Sequence, residues 1–284
     1  AYIEKAEEHD ITILALSDSR YPDLLKRIYD PPVLLYMRGK YDPALIVNSV
    51  GIVGTRKPTD YGKKMAEKFA EELSTAGIAV ISGFARGVDT IAHKAVLKNR
   101  NSSAITAAVF GCGVDMIYPP ENKALYDEMC EKGLLISEYE ISAFPDAVNF
   151  PKRNRIISGL SLGTIVIESD VDGGALITAR TALDQSREVF AVPGYVTSKV
   201  SRGTNGLIKN GQAKLTENLD DVLVEISNEK LIYDAFLMTI EPIHIDMISE
   251  KSGLNISDSL VTLLNLEFKG IVEQLPGKRF KIKN

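Results

Sequence analysis

Short apolar runs alternate with longer amphipathic stretches over residues 49–226 of the chain. Continuous apolar runs are typical of strands buried on both faces, and apolar residues repeating every three or four positions indicate helices packed by one side. The predicted strands are residues 50–53, 78–81, 104–109, 134–137, 164–167 and 188–192, and the predicted helices are residues 61–76, 88–97, 123–131, 155–160 and 176–185. This alternation predicts an α/β fold with a doubly wound, mostly parallel sheet and helices on both faces.

Glycines follow four of the predicted strands, at Gly54, Gly83, Gly111 and Gly173. Because the carboxyl ends of parallel strands meet at one edge of a sheet, these turns are expected to lie close together. Backbone N–H groups in such turns and at helix starts can approach an anion. A tight turn needs glycine for steric reasons as well, so any one of the four has a structural explanation. Four at one edge favour an anion-binding rim.

Residues 231–284 follow a different pattern. Helices are predicted at 232–237, 242–249 and 257–268, followed by a hairpin of strands 271–275 and 279–282 around Pro276-Gly277-Lys278. Three helices and a hairpin are typical of a winged helix-turn-helix. The sequence therefore predicts a core domain at residues 41–228 and a winged-helix module at residues 229–284.

The charges of the predicted winged helix do not favour reading of duplex DNA. Residues 231–284 contain seven carboxylate side chains and six cationic ones, for a net charge of −1. The expected recognition helix, residues 257–268, carries Asp258 and Glu267 and no cation, so it would repel a phosphate backbone. We expect an accessory module, with protein contact or weak DNA contact through the basic wing.

Composition narrows the class of protein. Of 284 residues, 45% are hydrophobic and 25% charged, as in ordinary globular domains, and the net charge is −5. A protein that coats duplex DNA without specificity is usually basic, so any nucleic-acid site here must be a local patch. The two cysteines, Cys112 and Cys130, form no disulfide framework, and neither a signal peptide nor a membrane-spanning apolar run is apparent. A cytoplasmic location is expected.

The most concentrated positive charge lies in residues 149–158, where Lys152, Arg153 and Arg155 follow the aromatic Phe150. Cations neutralise phosphates and an aromatic ring stacks on a base, which are the two requirements of a single-stranded nucleic-acid site. A solvated basic turn before a helix is the alternative interpretation.

Several shorter motifs carry no function. The Gly111-Cys112-Gly113 turn lacks the third glycine of a dinucleotide fingerprint. Residues 159–163 match the letters of a nucleophile elbow, but the predicted helix precedes them and the strand follows, which is the reverse order. The histidines are far apart in sequence, and His93 is expected to be structural. No metal site or cofactor is predicted.

Seven ordered blocks of the chain resemble those of the DNA-processing protein A family (DprA/Smf). The blocks are residues 51–58, 82–89, 111–122, 149–157, 174–180, 187–194 and 201–206. Their order and spacing agree over residues 14–226, which is most of the chain. One departure is Gly173-Gly174-Ala175, where the family more often has a serine after the glycine; it affects a hydroxyl contact but not the turn.

The resemblance implies a Rossmann-like core that binds single-stranded DNA, protects incoming DNA and loads the RecA recombinase during natural transformation and recombination. It also implies a homodimer, no catalytic residue and no membrane contact, with residues 1–40 as the remnant of an upstream helical domain and a linker. The positions that match the family's DNA-contacting segments are Arg56, Lys57, Gly83, Phe84, Arg86, Gly87, Phe150, Lys152, Arg153, Asn154, Arg155, Gly173, Gly174 and Thr178.

Two other interpretations stay open. Rossmann-like nucleotide phosphoribohydrolases also bind phosphates at glycine loops and carry a glutamate after a Gly-Thr pair. Here Gly163-Thr164 is followed by Glu168 with one residue too many, so the match is partial. A purely structural, partner-binding protein would have no affinity for oligonucleotides.

Overall fold

The structure, a computed structural model, describes residues 6, 9–102, 104–237, 241–268 and 271–283. The chain divides into two compact units, residues 1–219 and 220–284. No helix within these described ranges is both long enough and apolar enough to cross a membrane.

The strands and helices of the first unit follow each other along the chain. Its strands are β1 (Ile11–Ala15), β2 (Leu34–Gly39), β3 (Ser49–Val53), β4 (Ala79–Ser82), β5 (Thr106–Phe110), β6 (Leu134–Ser137), β7 (Gly163–Val166), β8 (Glu188–Ala191) and β9 (Lys214–Leu215). Its helices are α1 (Asp23–Lys26), α2 (Pro43–Ile46), α3 (Asp60–Thr75), α4 (Val88–Lys98), α5 (Lys123–Lys132), α6 (Asn149–Leu160), α7 (Gly174–Asp184) and α8 (Arg202–Lys209), with 3₁₀ turns at Pro120–Asn122 and Lys199–Ser201.

These strands form one nine-stranded sheet in the order β1-β2-β6-β5-β4-β3-β7-β8-β9. Strands β3 to β9 run parallel to one another, whereas β1 and β2 pair antiparallel at one edge. The predicted doubly wound, mostly parallel, Rossmann-like sheet is confirmed.

Alternate residues of the strands pack into different layers of the core. In β5, Ala107 and Val109 belong to a hydrophobic cluster with Ile157 of α6, whereas Ala108 and Phe110 belong to another with Met129 of α5. Since successive side chains of a strand point to opposite faces, helices cover both sides of the sheet. This burial on both faces explains why the strands appear in the sequence as continuous apolar runs.

The strand order reverses between β3 and β7. Successive connections after β3 lead away on one side through β4, β5 and β6, and those after β7 lead away on the other through β8 and β9. In open α/β sheets the loops at such a switch point separate and leave a crevice at the carboxyl ends of the strands. The turns after β3 and β7 flank this crevice.

The structure differs from the predicted domain boundaries at both ends of the core. Residues 1–40 were expected to be a helical remnant and linker, but β1 and β2 lie within them and extend the main sheet through pairing of β2 with β6. The sequence pattern did not indicate these strands, because prolines interrupt the segment. Their pairing with the sheet is also a long-range contact, which local periodicity does not report. At the other end, the division lies between Leu219 and Asp220 instead of residues 228 and 229.

The second unit contains α9 (Asp220–Leu237), β10 (Ile243–His244), α10 (Ile245–Ser252), α11 (Ile256–Phe268), β11 (Val272–Leu275) and β12 (Arg279–Ile282). The strands form a small antiparallel sheet in the order β10-β12-β11. Its core includes Ile248, Leu263, Val272 and Phe280. The predicted winged-helix fold is confirmed, although residues 243–244, expected in a helix, form a strand that pairs with the wing.

Candidate nucleic-acid interface

A cleft of about 560 Å³ opens at the carboxyl ends of β3 and β7. Its walls come from the turn after β3, the start of α4, the first turns of α6 and α7, and the loop after β7. The lining residues are Val53, Gly54, Thr55, Arg56, Ala85, Asp89, Tyr118, Pro145, Ala147, Phe150, Pro151, Arg153, Asn154, Ile157, Ser169, Asp170, Gly173, Gly174, Ala175, Ile177, Thr178 and Val200. The cleft lies where the reversal of strand order leaves a crevice.

The turn that carries Arg56 is held by the start of α4. Gly87 precedes this helix with a φ of 79°, and a Cβ there would collide with the Thr55 carbonyl oxygen. The Val88 N–H donates to the same Thr55 oxygen at 3.3 Å, and the Thr55 N–H donates to the Glu168 carbonyl at 2.7 Å. These contacts fix the backbone of the turn, so that Arg56 extends from a rigid support.

Behind the cleft, Arg153 is buried with 4% of its surface exposed. Its Nη1 donates to the Gly83 carbonyl at 2.6 Å and also to the Val109 carbonyl. Burial lowers the pKa of the Arg153 guanidinium to about 10, so it remains a cation at neutral pH, and burial raises the pKa of the nearby Asp89 carboxyl to about 6. A Cβ on Gly83 would lie 2.7 Å from Asp89 Oδ2 and 2.8 Å from Arg153 Nη2, so only glycine fits between them.

Helix α6 presents one face to the cleft. It begins at Asn149, six residues before the predicted start at Arg155. Pro151 is compatible with this earlier start because it lies in the first turn, where no intrahelical N–H bond is lost. Phe150, Arg153, Asn154 and Ile157 all line the cleft, at the i, i+3, i+4 and i+7 spacing of one helix face. The basic segment is therefore part of the helix.

An aromatic pair stands at the mouth of the cleft. The rings of Phe150 and Tyr118 lie 5.4 Å apart with an interplanar angle of 33°, and Tyr118 is 38% exposed. Phe150 is half-buried and packs over Gly111, where a Cβ would come within 2.9 Å of its ring. Both rings are partly exposed, and a ring face of this kind is suited to stacking on a base.

Three predicted cations are exposed and unpaired. Arg56 and Lys57 follow β3, and Lys152 lies in the first turn of α6. None of the three forms an ion pair with another residue that the structure describes. They are therefore available to a phosphate.

Three other predicted cations are already engaged. Arg153 is buried, as described above. Arg86 forms a bidentate ion pair with Glu121. Arg155 donates to both carboxylate oxygens of Glu138 at 2.7 Å and to Asp30 at 3.2 Å. The density of charge in residues 149–158, which suggested phosphate binding, thus serves folding in two of its three cations.

The family of the chain follows from comparison with known proteins. A family model described as DNA recombination-mediator protein A matches residues 12–227, and one described as DprA winged helix domain matches residues 236–278. The chain belongs to the DNA recombination-mediator protein A (DprA/Smf) family. The family resemblance inferred from the sequence blocks is confirmed.

Relatives of this DprA/Smf chain occur in distant bacteria. It is 39% identical to DNA processing protein DprA of Bacillus subtilis, over 80% of this chain and 75% of the relative, and 32% identical to protein Smf of Escherichia coli, over 99% and 79%. The solved structure of DprA from Streptococcus pneumoniae superposes with a TM-score of 0.71 at 38% identity, covering 78% of this chain and 77% of that one.

A solved structure of DprA from Helicobacter pylori, described as giving insight into a unique single-stranded DNA binding mode, superposes with a TM-score of 0.66. It is 32% identical and covers 79% of this chain and 96% of the other.

Within this DprA/Smf chain, not all predicted contact residues reach the surface. Phe84, whose backbone has a positive φ of 59°, is 1% exposed and stacks on Phe110 in the core, with the ring centroids 4.9 Å apart. A DNA contact through the Phe84 or Arg153 side chain does not fit this geometry. Thr178 is 2% exposed but lines the cleft, as do Gly173 and Gly174 at the start of α7.

The structure adds cleft residues that the sequence did not indicate. Tyr118 is the most prominent, and Pro145, Ala147 and Val200 line the same space. An aromatic residue directly before Pro119-Pro120 was a usable signal for Tyr118. No local pattern marks the other three, because their loops are brought to the cleft by the sheet.

Glu168, the residue behind the hydrolase interpretation, is 2% exposed. Its Oε2 accepts from the Thr59 N–H at 2.9 Å and its Oε1 accepts from the Thr59 hydroxyl at 2.6 Å. Thr59 is the N-cap of α3, so the carboxylate anchors the start of that helix. It is not among the residues that line the cleft.

Proposed function

We propose that this protein is a mediator that binds single-stranded DNA in the cleft. It protects incoming DNA and loads the RecA recombinase during natural transformation and recombination. It does so as a homodimer and without catalysing a reaction of its own.

The observation that carries the DNA-binding part is the combination of free cations and an aromatic pair at one rim. Arg56, Lys57 and Lys152 are exposed and have no ion-pair partner among the described residues, in a chain whose net charge is −5. Phe150 and Tyr118 offer ring faces beside them. Charge for the backbone and a flat face for a base are sequence-tolerant contacts with a single strand, whereas the bases of a duplex are stacked on each other.

The roles in recombination are supported by the family. Its description names a recombination mediator, and relatives named DNA processing protein DprA share up to 41% identity with this chain. The Helicobacter relative, whose description names single-stranded DNA binding, has the same core fold. We propose the homodimer and the recombinase partner for this chain on the basis of these similarities.

The DNA-binding part is tested by fluorescence anisotropy with labelled oligo-dT and with a duplex of the same length. We expect the single strand to bind at least about tenfold more tightly, because only unpaired bases can stack. Equal affinity for the two, or none for either, would contradict the proposal.

A RecA filament-formation assay on DNA covered by single-strand-binding protein tests the loading role: addition of this protein should shorten the lag before filaments form.

Nucleotide hydrolysis has no support from the site geometry, because both oxygens of Glu168 are engaged by Thr59 and the residue lies outside the cleft lining. Incubation with nucleoside monophosphates should yield no free base. Turnover that Glu168→Gln abolishes, while the variant remains folded, would restore the enzyme interpretation.

A further inference from the structure

Phe144 is an apolar side chain held in water. It lies in the segment between β6 and α6 and is 77% exposed, more than the aromatic residues of the cleft mouth. It lies outside the sequence segments that suggested DNA contact. Exposure of an aromatic ring to water is unfavourable, so a rigid segment that displays one indicates a contact made in another state of the protein.

Hydrogen bonds anchor the chain on the amino-terminal side of Phe144. The Ser142 N–H donates to Asp115 Oδ1 at 2.8 Å, and the Ser142 hydroxyl donates to Asp115 Oδ2 at 3.0 Å. The Gly113 N–H donates to the Ala143 carbonyl at 2.9 Å. Ile141, three residues before Phe144, is buried in the hydrophobic core.

The chain is also anchored after Phe144. The Val148 N–H donates to Asp146 Oδ1 at 3.2 Å, and the Asn149 N–H donates to the Asp146 carbonyl at 3.0 Å. With fixed points on both sides, the exposed position of Phe144 is set by the fold.

This fixed position is at the rim of the cleft. Pro145, the next residue, lines the cleft, as does Ala147. The same cleft contains the Tyr118 and Phe150 rings, and Lys152 lies in the same first turn of α6 as Phe150. A strand that leaves the Tyr118–Phe150 surface over this wall would pass Phe144.

We propose that Phe144 is an outer stacking position for an unpaired nucleobase, next to the nucleotide held in the cleft. The inference rests on the proposed single-stranded DNA function. A ring face serves any base, and the cations Arg56, Lys57 and Lys152, which have no ion-pair partner among the described residues, serve the phosphates. The continuity of the rim with the cleft favours the bound strand over a protein partner as the occupant.

The test compares Phe144→Ala with wild type on oligo-dT and on an abasic oligonucleotide of equal length. Phe144→Ala should bind oligo-dT about five- to tenfold more weakly, near the lower end of what one stacked base contributes. Both proteins should bind the abasic oligonucleotide equally, and the salt dependence should not change, because no phosphate contact is lost. Phe144→Tyr keeps the ring and should bind oligo-dT within about twofold of wild type.

Val47→Ala is the matched control, because Val47 is 55% exposed and precedes β3 at the opposite edge of the sheet. It should bind like wild type. If Phe144→Ala proves unstable, Phe144→Leu replaces it: leucine keeps apolar bulk without a ring face, and should bind more weakly than Phe144→Tyr.

Wild-type affinity of Phe144→Ala for oligo-dT, or an equal loss on the abasic oligonucleotide, would overturn the stacking position while leaving the proposed function intact. Failure of the wild-type protein to bind single strands would instead refute the proposed function itself. A partner protein as the occupant corresponds to the first of these outcomes.

Discussion

The candidate cations differ in whether the protein itself already provides them with ion-pair or hydrogen-bond partners. Arg56, Lys57 and Lys152 have no ion pair within the described residues, whereas Arg153 is bonded to backbone carbonyls and Arg155 to two carboxylates. A guanidinium that is already paired gains little from a phosphate, because it must first give up those bonds. We therefore propose that the first group contacts DNA, whereas the second stabilises the fold.

Arg56→Ala and Lys152→Ala should each weaken binding of oligo-dT. Each should also reduce the slope of log affinity against log salt concentration by about 0.7, the contribution of one neutralised phosphate of a single strand. The control is Lys40→Ala, which removes the same charge at the opposite edge of the sheet, where Lys40 is exposed after β2. Salt titrations that give one common slope for all four proteins would argue against phosphate contacts at Arg56 and Lys152.

Arg155→Ala should act on stability instead. It leaves Glu138, whose side chain is 19% exposed, without its bidentate partner. Loss of a charged hydrogen-bond partner from a largely buried group costs roughly 1–3 kcal/mol. Urea unfolding should show this loss, and the salt slope for oligo-dT should stay at the wild-type value. A stable Arg155→Ala with a reduced slope would move Arg155 into the DNA site.

His93 should make stability depend on pH. It is fully buried, with Nδ1 2.6 Å from the Thr106 hydroxyl, and burial lowers its pKa to about 3, with a smaller effect of Arg153. Below pH about 6.5 His93 binds a proton in the unfolded chain but not in the folded protein, so acidification favours unfolding. Relative to His93→Gln, wild type should lose about 1.4 kcal/mol of unfolding free energy per pH unit from about 6.5 downward.

Urea unfolding of both proteins at pH 8, 7, 6 and 5 measures this difference. Between pH 8 and 7 it should be constant, which serves as the internal control. Burial raises the pKa of the Asp89 carboxyl to about 6, which changes stability in the opposite direction on acidification. Both proteins contain Asp89, so its contribution cancels in the difference between their unfolding free energies. A difference that stays constant down to pH 5 would show that His93 is protonated in the folded protein.

At the scale of elements, the starts of helices hold the site together. Helix α4 fixes the turn of Arg56, and α6 contributes an aromatic and several polar groups from one face. Helix starts carry N–H groups without intrahelical partners, so they also favour an anion in the cleft. The recognition helix of the second unit does not favour an anion in this way, because α11 carries Asp258 and Glu267 and no cation.

Gly87→Ala should disturb the start of α4. The backbone at Gly87 has φ 79° and ψ −124°, which only glycine adopts readily, and a Cβ would meet the Thr55 carbonyl. We expect a loss of about 1–3 kcal/mol in stability, together with weaker oligo-dT binding, because the turn of Arg56 must move.

The control is Gly206→Ala in α8, where a Cβ meets nothing within 4 Å. Alanine is the better helix former, so this variant should be more stable by roughly 0.5–1 kcal/mol and bind normally. Unfolding curves and oligo-dT titrations compare the two. A Gly87→Ala protein with the stability of wild type would mean that the turn adapts freely.

At the scale of the whole molecule, the cleft and its free cations all lie within residues 1–219. Removal of residues 220–284 should therefore keep most of the affinity for oligo-dT, since the removed unit has a net charge of −4 and its recognition helix is acidic. The truncation begins at residue 220 because α9 belongs to the second unit. Anisotropy titration of a folded truncated protein checks this; loss of most affinity would assign DNA contacts to the winged helix.

The sequence by itself determined the class of the fold. Buried parallel strands and amphipathic helices leave local periodic signals, so β3 to β8 and the helices between them were predicted to within two residues, except for the start of α6. The winged helix was predicted for the same reason. The glycine turns and the aromatic Phe150 also pointed to the edge of the sheet at which the cleft opens, because parallel strands must end together.

Only the tertiary structure decided which candidate residues are available. The partners that engage Arg86, Arg153 and Arg155 are 17 to 125 residues away in sequence, so no local pattern separates a free cation from a paired one. The inward turn of Phe84, the strands β1 and β2 at the sheet edge, and the rim position of Phe144 depend likewise on contacts between distant segments. Periodicity reports how each segment buries its own side chains, whereas the partner of a charge is set by which segments the fold brings together.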